Sequence, residues 1–397
     1  MRRSGEIAVP GFRGAGVACG IKKGGKPDLA LVVSDAPCVS DAVFTRNRVF
    51  AAPVAWGKAL ESRSALRGVI ANSGNANACT GAAGLAAVRR TSAAACRALG
   101  LPKDALLVSS TGVIGVPLPA ERIAAAIPGL CGALAADGLA RAGEAIMTTD
   151  AWPKRDVRRV RIGGKTVTIA GIAKGAGMIA PNMGTMLAYV FTDAAIRSAD
   201  LRRVFREAVD LSFNRIVVDG DTSTNDTAAV FANGACGLPP LGGRALSDFA
   251  AALRDLLLSL ALSIVRDGEG ATRVVRITVR GARSDRDAAK ATRAAATSPL
   301  VKTAVFGADV NWGRVVAAVG RSGIPMDPVR VSVAFAGETV LRRGMCPDPA
   351  AERRAAPKIR NAMYDVVVDL GAGGGSHHLY FSDLTHDYVR MNAGYRT

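Results

Sequence analysis

The chain of 397 residues is 49% hydrophobic and 21% charged, an ordinary globular composition with apolar material for one large or two medium cores, which excludes disorder over most of its length. Its 51 Lys+Arg against 33 Asp+Glu give a formal net charge of +18, which fits nucleic acid, an anionic surface or acidic small molecules as partners. The basic residues are scattered in pairs such as Arg89-Arg90 and Arg353-Arg354, and only 5% of residues are aromatic, which argues against nucleic acid. In chain order, helical periodicity predicts helices over 84–99 (closed by Gly100 and Pro102), 119–147, 199–211 and 246–266. β-branched runs predict strands at 157–162 and 167–169, joined across Gly163-Gly164, then at 186–191, 274–279, 329–335 and 364–370. The class is mixed α/β, with helices packed on mixed sheets that the Gly-Gly hairpin makes partly antiparallel rather than doubly wound. The loosest stretches are 237–244 and 371–378, both Gly-rich, and the first allows a domain boundary.

Seven cysteines without a CxxC pair fit reduced thiols and support neither a disulfide framework nor a metal site. His377, His378 and His386 lack cysteine or acidic neighbours at metal-ligand spacing and read as surface residues, so no metal is expected. The start Met1-Arg2-Arg3 leads into no apolar segment, and the longest nearly apolar run, 256–265, is half the roughly 20 residues of a membrane span. The reading is a cytoplasmic protein without a membrane partner.

The most unusual segment is 174–188, Lys-Gly-Ala-Gly-Met-Ile-Ala-Pro-Asn-Met-Gly-Thr-Met-Leu-Ala. Its glycines and Pro181 break any helix, so a loop of small residues delivers Thr185 to the mouth of an apolar strand. A threonine at a strand entry is usually structural, since the residue suits strands. Here a second chemistry is open: the hydroxyl can attack the carbonyl before it in an N-to-O acyl shift, and water then cleaves the ester. The new chain begins at Thr185, whose α-amine, with a pKa near 8, lies beside its own hydroxyl as general base. Gly184 leaves the scissile carbonyl room to twist.

This segment resembles the cleavage segment of the ornithine acetyltransferase family (ArgJ-type glutamate N-acetyltransferases), KGxGMIxPNMxTML in consensus, with Gly184 where alanine is the usual residue. The resemblance extends over nearly the whole chain. It covers Gly11-Phe12, the run Asp28 to Leu31, the run Asn72 to Gly81, Ser110-Thr111-Gly112-Val113-Ile114-Gly115, Asp219-Gly220-Asp221-Thr222-Ser223-Thr224-Asn225-Asp226, Asp267-Gly268-Glu269-Gly270-Ala271-Thr272, Asn311-Trp312-Gly313-Arg314 and the tail from Asn392 to Thr397.

The resemblance implies an N-terminal-nucleophile enzyme with an ArgJ/DmpA-like fold, cleaved into chains 1–184 and 185–397 that assemble as a heterotetramer of two of each. It implies ping-pong transfer of acetyl from N-acetylornithine to glutamate with no cofactor. Some members also accept acetyl-CoA, and nothing in the sequence separates the two kinds. It gives Thr185 the role of nucleophile and Thr111 and Gly112 that of the oxyanion hole; read alone, Ser110-Thr111-Gly112 is equally a tight turn after a strand. It makes substrate contacts of Lys174, otherwise a solvated loop charge, and of Thr148 or Thr149, with Thr148 preferred. It does the same for Glu269, otherwise a turn carboxylate, and for Asn392 and Thr397 in a terminus that would ordinarily fray; Gly394 stands where the family carries an acidic residue. The acidic run 219–226 lacks the ligand series of a calcium loop and reads as a hydrogen-bonded turn supporting the site. Two rival functions are an amidohydrolase or aminopeptidase with the same nucleophile and a basic nucleic-acid-binding protein.

Overall fold

The computed structural model describes residues 7–60, 66–180 and 186–394, and the chain divides into two units. The first takes the chain up to Asn214 together with 221–264; the second takes 215–220 and continues from Val265. The anticipated boundary at 237–244 is not there. That stretch is tied into the first unit by backbone bonds from Cys236 to Asp193 and from Leu241 to Ala195, and by Lys165, whose ammonium donates to the carbonyls of Cys236 and Gly237.

The first unit contains two sheets. In one, β1 (Phe12–Val17), β2 (Leu29–Ser34), β4 (Gly68–Asn75) and β5 (Leu106–Val113) lie in that order, antiparallel except for the parallel pair β4/β5. In the other the order is β3 (Val39–Phe44), β10 (Thr227–Ala232), β8 (Leu187–Thr192), β7 (Lys165–Lys174) and β6 (Lys154–Ile162), with only β10/β8 parallel. The β6/β7 hairpin turns at Gly163-Gly164 as expected. Strand β2 is apolar at every position from Leu29 to Val33 because both faces of its sheet are covered. Leu29 and Leu31 pack with Val88 of α2 (Gly81–Ala98) and Ile123, Ile127 and Leu130 of α3 (Ala120–Gly132). Val32, Val69 and Leu107 face Ile172, Tyr189, Phe191 and Phe231 of the second sheet, with Ala142 of α4 (Leu139–Ala145). Within this layer Phe191 stacks on Phe231, ring centroids 5.5 Å apart. The unit also holds α1 (Ala52–Ala59), α5 (Ser198–Asp210) and most of α6 (Gly243–Arg266).

The single helix predicted over 119–147 is two, α3 and α4. Ala135 between them pairs with Gly14 of β1 as an isolated bridge, and a backbone bonded to a sheet edge cannot continue a helical ladder.

In the second unit, seven strands run in the order β14 (Cys346–Pro347), β13 (Glu338–Arg342), β12 (Ser332–Phe335), β15 (Met363–Asp369), β11 (Val274–Ala282), β16 (Gly375–Ser382) and β9 (Ile216–Val217). The alternation of β11 is that of a strand with one apolar face: Val275, Ile277 and Val279 join the core, and Arg276, Thr278 and Arg280 point the other way. The core is closed by α7 (Asp285–Ala296), α8 (Pro299–Phe306), α9 (Trp312–Gly320) and α10 (Pro349–Lys358), and the unit ends with α11 (His386–Ala393). Local sequence starts these helices: Ser284, Ser298, Asn311, Asp348 and Thr385 each cap one by accepting a backbone N–H.

Two expectations fail here. The Gly-rich stretch 371–378 is not loose throughout, since β16 begins at Gly375, where a Cβ would lie 2.3 Å from the Ser284 carbonyl carbon; the glycine serves close packing. His377 and His378 are consequently half-buried strand residues rather than surface ones. Burial, then the Arg215 charge, pushes both imidazoles down to about 4. Among the described residues no helix is long and apolar enough to cross a membrane.

Candidate active site

Strand β5 ends with Ser110, Thr111, Gly112 and Val113, so the expected turn is the last part of a strand, beside a register shift at Gly74 and Asn75 of β4. Gly112 has φ +130°, and a Cβ there would lie 2.4 Å from the Gly74 carbonyl carbon. Packing therefore requires glycine at this position whatever the N–H does. Thr111 is buried, and its hydroxyl oxygen accepts a hydrogen bond from Lys174 Nζ at 3.3 Å. Lys174 closes β7 and is itself buried, so the solvated loop charge is excluded.

Next to it sits a carboxylate that sequence reasoning passed over. Asp150 Oδ1 accepts from Lys154 Nζ at 2.6 Å and from the Gly175 amide at 2.7 Å, and Oδ2 accepts from the Thr148 amide at 2.9 Å. The Asp150 and Lys154 side chains are wholly buried. Burial pushes the Asp150 carboxyl up, but the charges of Lys174 and Lys154, with hydrogen bonds from Lys154 and Thr148, outweigh it and hold the group at about 2. Thr148 thus joins the cluster through its backbone. Lys22, also unforeseen, is pushed down to about 8 by burial against the pull of Asp28 and Asp150. In the sequence Lys22 and Lys154 are two among 51 cations, and nothing local sets them apart.

Beyond Lys174 the chain stays inside the protein, with Ala176, Ile179 and Ala180 buried and Met178 in the left-handed region at φ +60°. Gly184 and Thr185, the expected cleavage site, and Thr397 lie outside the described residues. Met186 follows, its amide donating to Asp226 Oδ1 at 2.9 Å.

Glu269 and Asn392 belong to the second unit and meet there: Asn392 Nδ2 donates to Glu269 Oε2 at 2.8 Å and to the Tyr388 carbonyl at 3.1 Å. Helix α11 is docked rather than frayed, because its cap Thr385 donates to the Gly270 carbonyl at 2.8 Å. Asn311-Trp312-Gly313-Arg314 turns out to be architectural: Asn311 caps α9, Trp312 Nε1 donates to Glu352 and Arg314 to the Leu300 carbonyl. Among the described residues no group of three or more His, Cys, Asp or Glu could hold a metal ion.

A buried lysine donating to a threonine hydroxyl at the end of a glycine-bearing strand, and a buried Lys154–Asp150 pair bonded to the residue after that lysine, mark a candidate active site in a mixed α/β fold. The family follows from comparison. This chain belongs to the ArgJ family, whose model matches residues 13–397. The arginine biosynthesis bifunctional protein ArgJ of Geobacter sulfurreducens is 51% identical over 391 residues, 98% of this chain and 100% of that protein. Its counterpart in Symbiobacterium thermophilum is 48% identical over 399 residues, 99% of this chain and 98% of that one. The crystal structure of the arginine biosynthesis bifunctional protein ArgJ from Bacillus halodurans is 38% identical, with a TM-score of 0.51, and covers 53% of this chain and 100% of that chain.

Proposed function

We propose that this chain is a self-cleaving cytoplasmic enzyme of arginine biosynthesis that moves an acetyl group from N-acetylornithine to glutamate through an acetyl ester on Thr185. The observation that carries the reading is the contact between Lys174, in the segment leading to Thr185, and Thr111. By donating to the Thr111 oxygen, the ammonium occupies it as an acceptor and leaves the threonine's own O–H free to donate. A donor aimed at the oxygen of a tetrahedral intermediate is what acyl transfer needs, and the Gly112 N–H serves as the second. The positive charge of Lys174 suits the substrate α-carboxylate, and Thr148 is a further substrate contact. Glu269 pairs with the side-chain amine of ornithine, and Asn392 and Thr397 contribute polar contacts to substrate.

In the first step the Thr185 hydroxyl attacks the Gly184 carbonyl, nitrogen leaves as the α-amine, and water hydrolyses the ester. The freed amine then takes the hydroxyl proton as Thr185 attacks the acetyl carbonyl; ornithine departs with the proton, and glutamate's amine accepts the acetyl group. The order of the second sheet supports the survival of a cleaved enzyme: β10 and β8, from beyond residue 185, lie between β3 and β7 from before it. A chain of Bacillus halodurans ArgJ matched in full by 53% of this one also suits a chain of 213 residues out of 397. We assign the two chains to a heterotetramer of two copies each. The relatives' name "bifunctional" supports acetyl-CoA as a second donor to the same ester, read out by release of the free thiol.

Incubation with N-acetylornithine and glutamate tests the reading. N-acetylglutamate should form in step with ornithine, and Thr185→Ala should abolish it while Thr185→Ser retains part of it. Free acetate as the main product would establish the hydrolase instead.

A further inference from the structure

The turn 223–226 makes hydrogen bonds in two directions. Asn225 Nδ2 donates to the carbonyl of Ser110 at 2.8 Å and to that of Ala76 at 2.6 Å, so it grips β5 one residue before Thr111. Asp226, next in the chain, accepts the Met186 amide at 2.9 Å, one residue after Thr185. Both side chains are buried, and the turn is held from outside: Thr45 donates its amide to the Asp226 carbonyl at 3.0 Å, Ala51 to that of Thr224 at 2.9 Å, and the Thr224 hydroxyl donates to Asn225 Oδ1 at 2.5 Å. Thr227 then donates its amide to the Met186 carbonyl at 3.1 Å, so Met186 is held on both its amide and its carbonyl.

We propose that Asp226 is a positioning residue for acyl transfer: with Asn225 it forms a rigid strut that fixes the peptide following Thr185 relative to the strand carrying Thr111. The inference rests on the assignment of Thr185 and Thr111 above and adds to it the group that sets their register. Its physical basis is distance. A nucleophile and an oxyanion donor act together only if their separation is held closely, and a misplacement of about 1 Å costs up to about a hundredfold in rate. A strut of two consecutive residues, each bonded beside one partner, is a short connection with few torsions to relax.

Asp226 does this without needing a negative charge. Burial pushes its carboxyl well above the ordinary carboxylate range, while the Met186 amide, the Thr45 hydroxyl and the Lys174 charge pull the other way without prevailing. The direction favours the protonated acid, which asparagine imitates in shape and in its acceptor oxygen.

Three variants of the full-length enzyme test the proposal, each read by intact mass, kcat and KM for N-acetylornithine, and melting temperature. Asp226→Leu fills the space without an acceptor; it should slow cleavage and lower kcat about ten- to hundredfold, with KM within about threefold of wild type. Asp226→Asn should cleave and turn over within about threefold of wild type, because the hold on Met186 is kept. If Asp226→Leu does not fold, Asp226→Glu, which displaces the carboxyl by one methylene, carries the test with the same expected loss of kcat. Wild-type kcat in the leucine or glutamate variant overturns the inference, as does an asparagine variant that melts like wild type yet is as slow as the leucine one. If instead wild type stays uncleaved and Thr185→Ala remains active, the acyl-transfer reading itself has failed.

Discussion

Around Thr111 the polar groups are buried and hold one another: Lys174 on Thr111, Lys154 on Asp150, and Asp150 on the amides of Thr148 and Gly175. In the second unit Glu269 and Asn392 are half-exposed and joined by a single side-chain bond, on a loop that α11 steadies through Thr385. On the roles proposed above, the difference separates two tasks. Groups that must meet a developing charge are locked in a dry network, where electrostatics are strong and mispairing is costly. Groups that only hold a substrate amine can stay wet, and their loss costs a contact rather than a site.

The sharpest way to break this comparison is Lys154→Met, which leaves the buried Asp150 carboxylate without its 2.6 Å partner. Removing one member of a buried pair costs about 3–5 kcal/mol of stability, to be read from the denaturant midpoint. A loss below about 1 kcal/mol would put the pair in the class of surface bridges and erase the contrast. Next comes Thr111→Ala, which should lower kcat about a hundredfold or more while KM changes little, since the donor acts in the transition state. A raised KM with unchanged kcat would remove Thr111 from the oxyanion hole. Asn392→Ala is milder: KM for N-acetylornithine should rise about tenfold, with kcat and cleavage retained, as one unpaired polar contact costs about 1–3 kcal/mol. An unchanged KM would make α11 purely architectural.

Acid sharpens the comparison most gently, because the two units respond in separate windows. His377 and His378 titrate near 4 in the folded protein against an ordinary 6.5, so below 6.5 the unfolded chain takes up protons first and stability falls until about pH 4. Asp150 titrates near 2 against an ordinary 3.8, so its contribution is complete above 3.8 and is lost as pH falls toward 2. Replacing both histidines by glutamine should flatten melting temperature against pH between 6.5 and 4 only, and Asp150→Asn should flatten it below 4 only. A slope unchanged by either substitution would mean that other groups control the acid response.

How much of this was legible in the sequence depended on whether a feature is local. The β6/β7 hairpin was, because Gly163-Gly164 between β-branched runs determines its own turn. So was the non-helical run 175–180, where the glycines leave no helical alternative. Asp150 was not: its importance comes from Lys154, Lys174 and Gly175 arriving around it in the fold, and none of their spacings is distinctive. The interruption of helix 119–147 was hidden for the same reason, since it depends on a bridge to Gly14, more than a hundred residues away. The resemblance to a family placed Thr111 and Lys174 in one site, and the geometry added how they meet.

The measurement that bears most directly on the central claim is the intact mass of the purified protein. Two chains are expected, of 184 residues and of the remaining 213 of the 397, the second beginning with Thr185. The Thr185→Ala variant is expected as one uncleaved chain. A single wild-type species of 40.8 kDa with no Thr185 N-terminus would contradict the central claim.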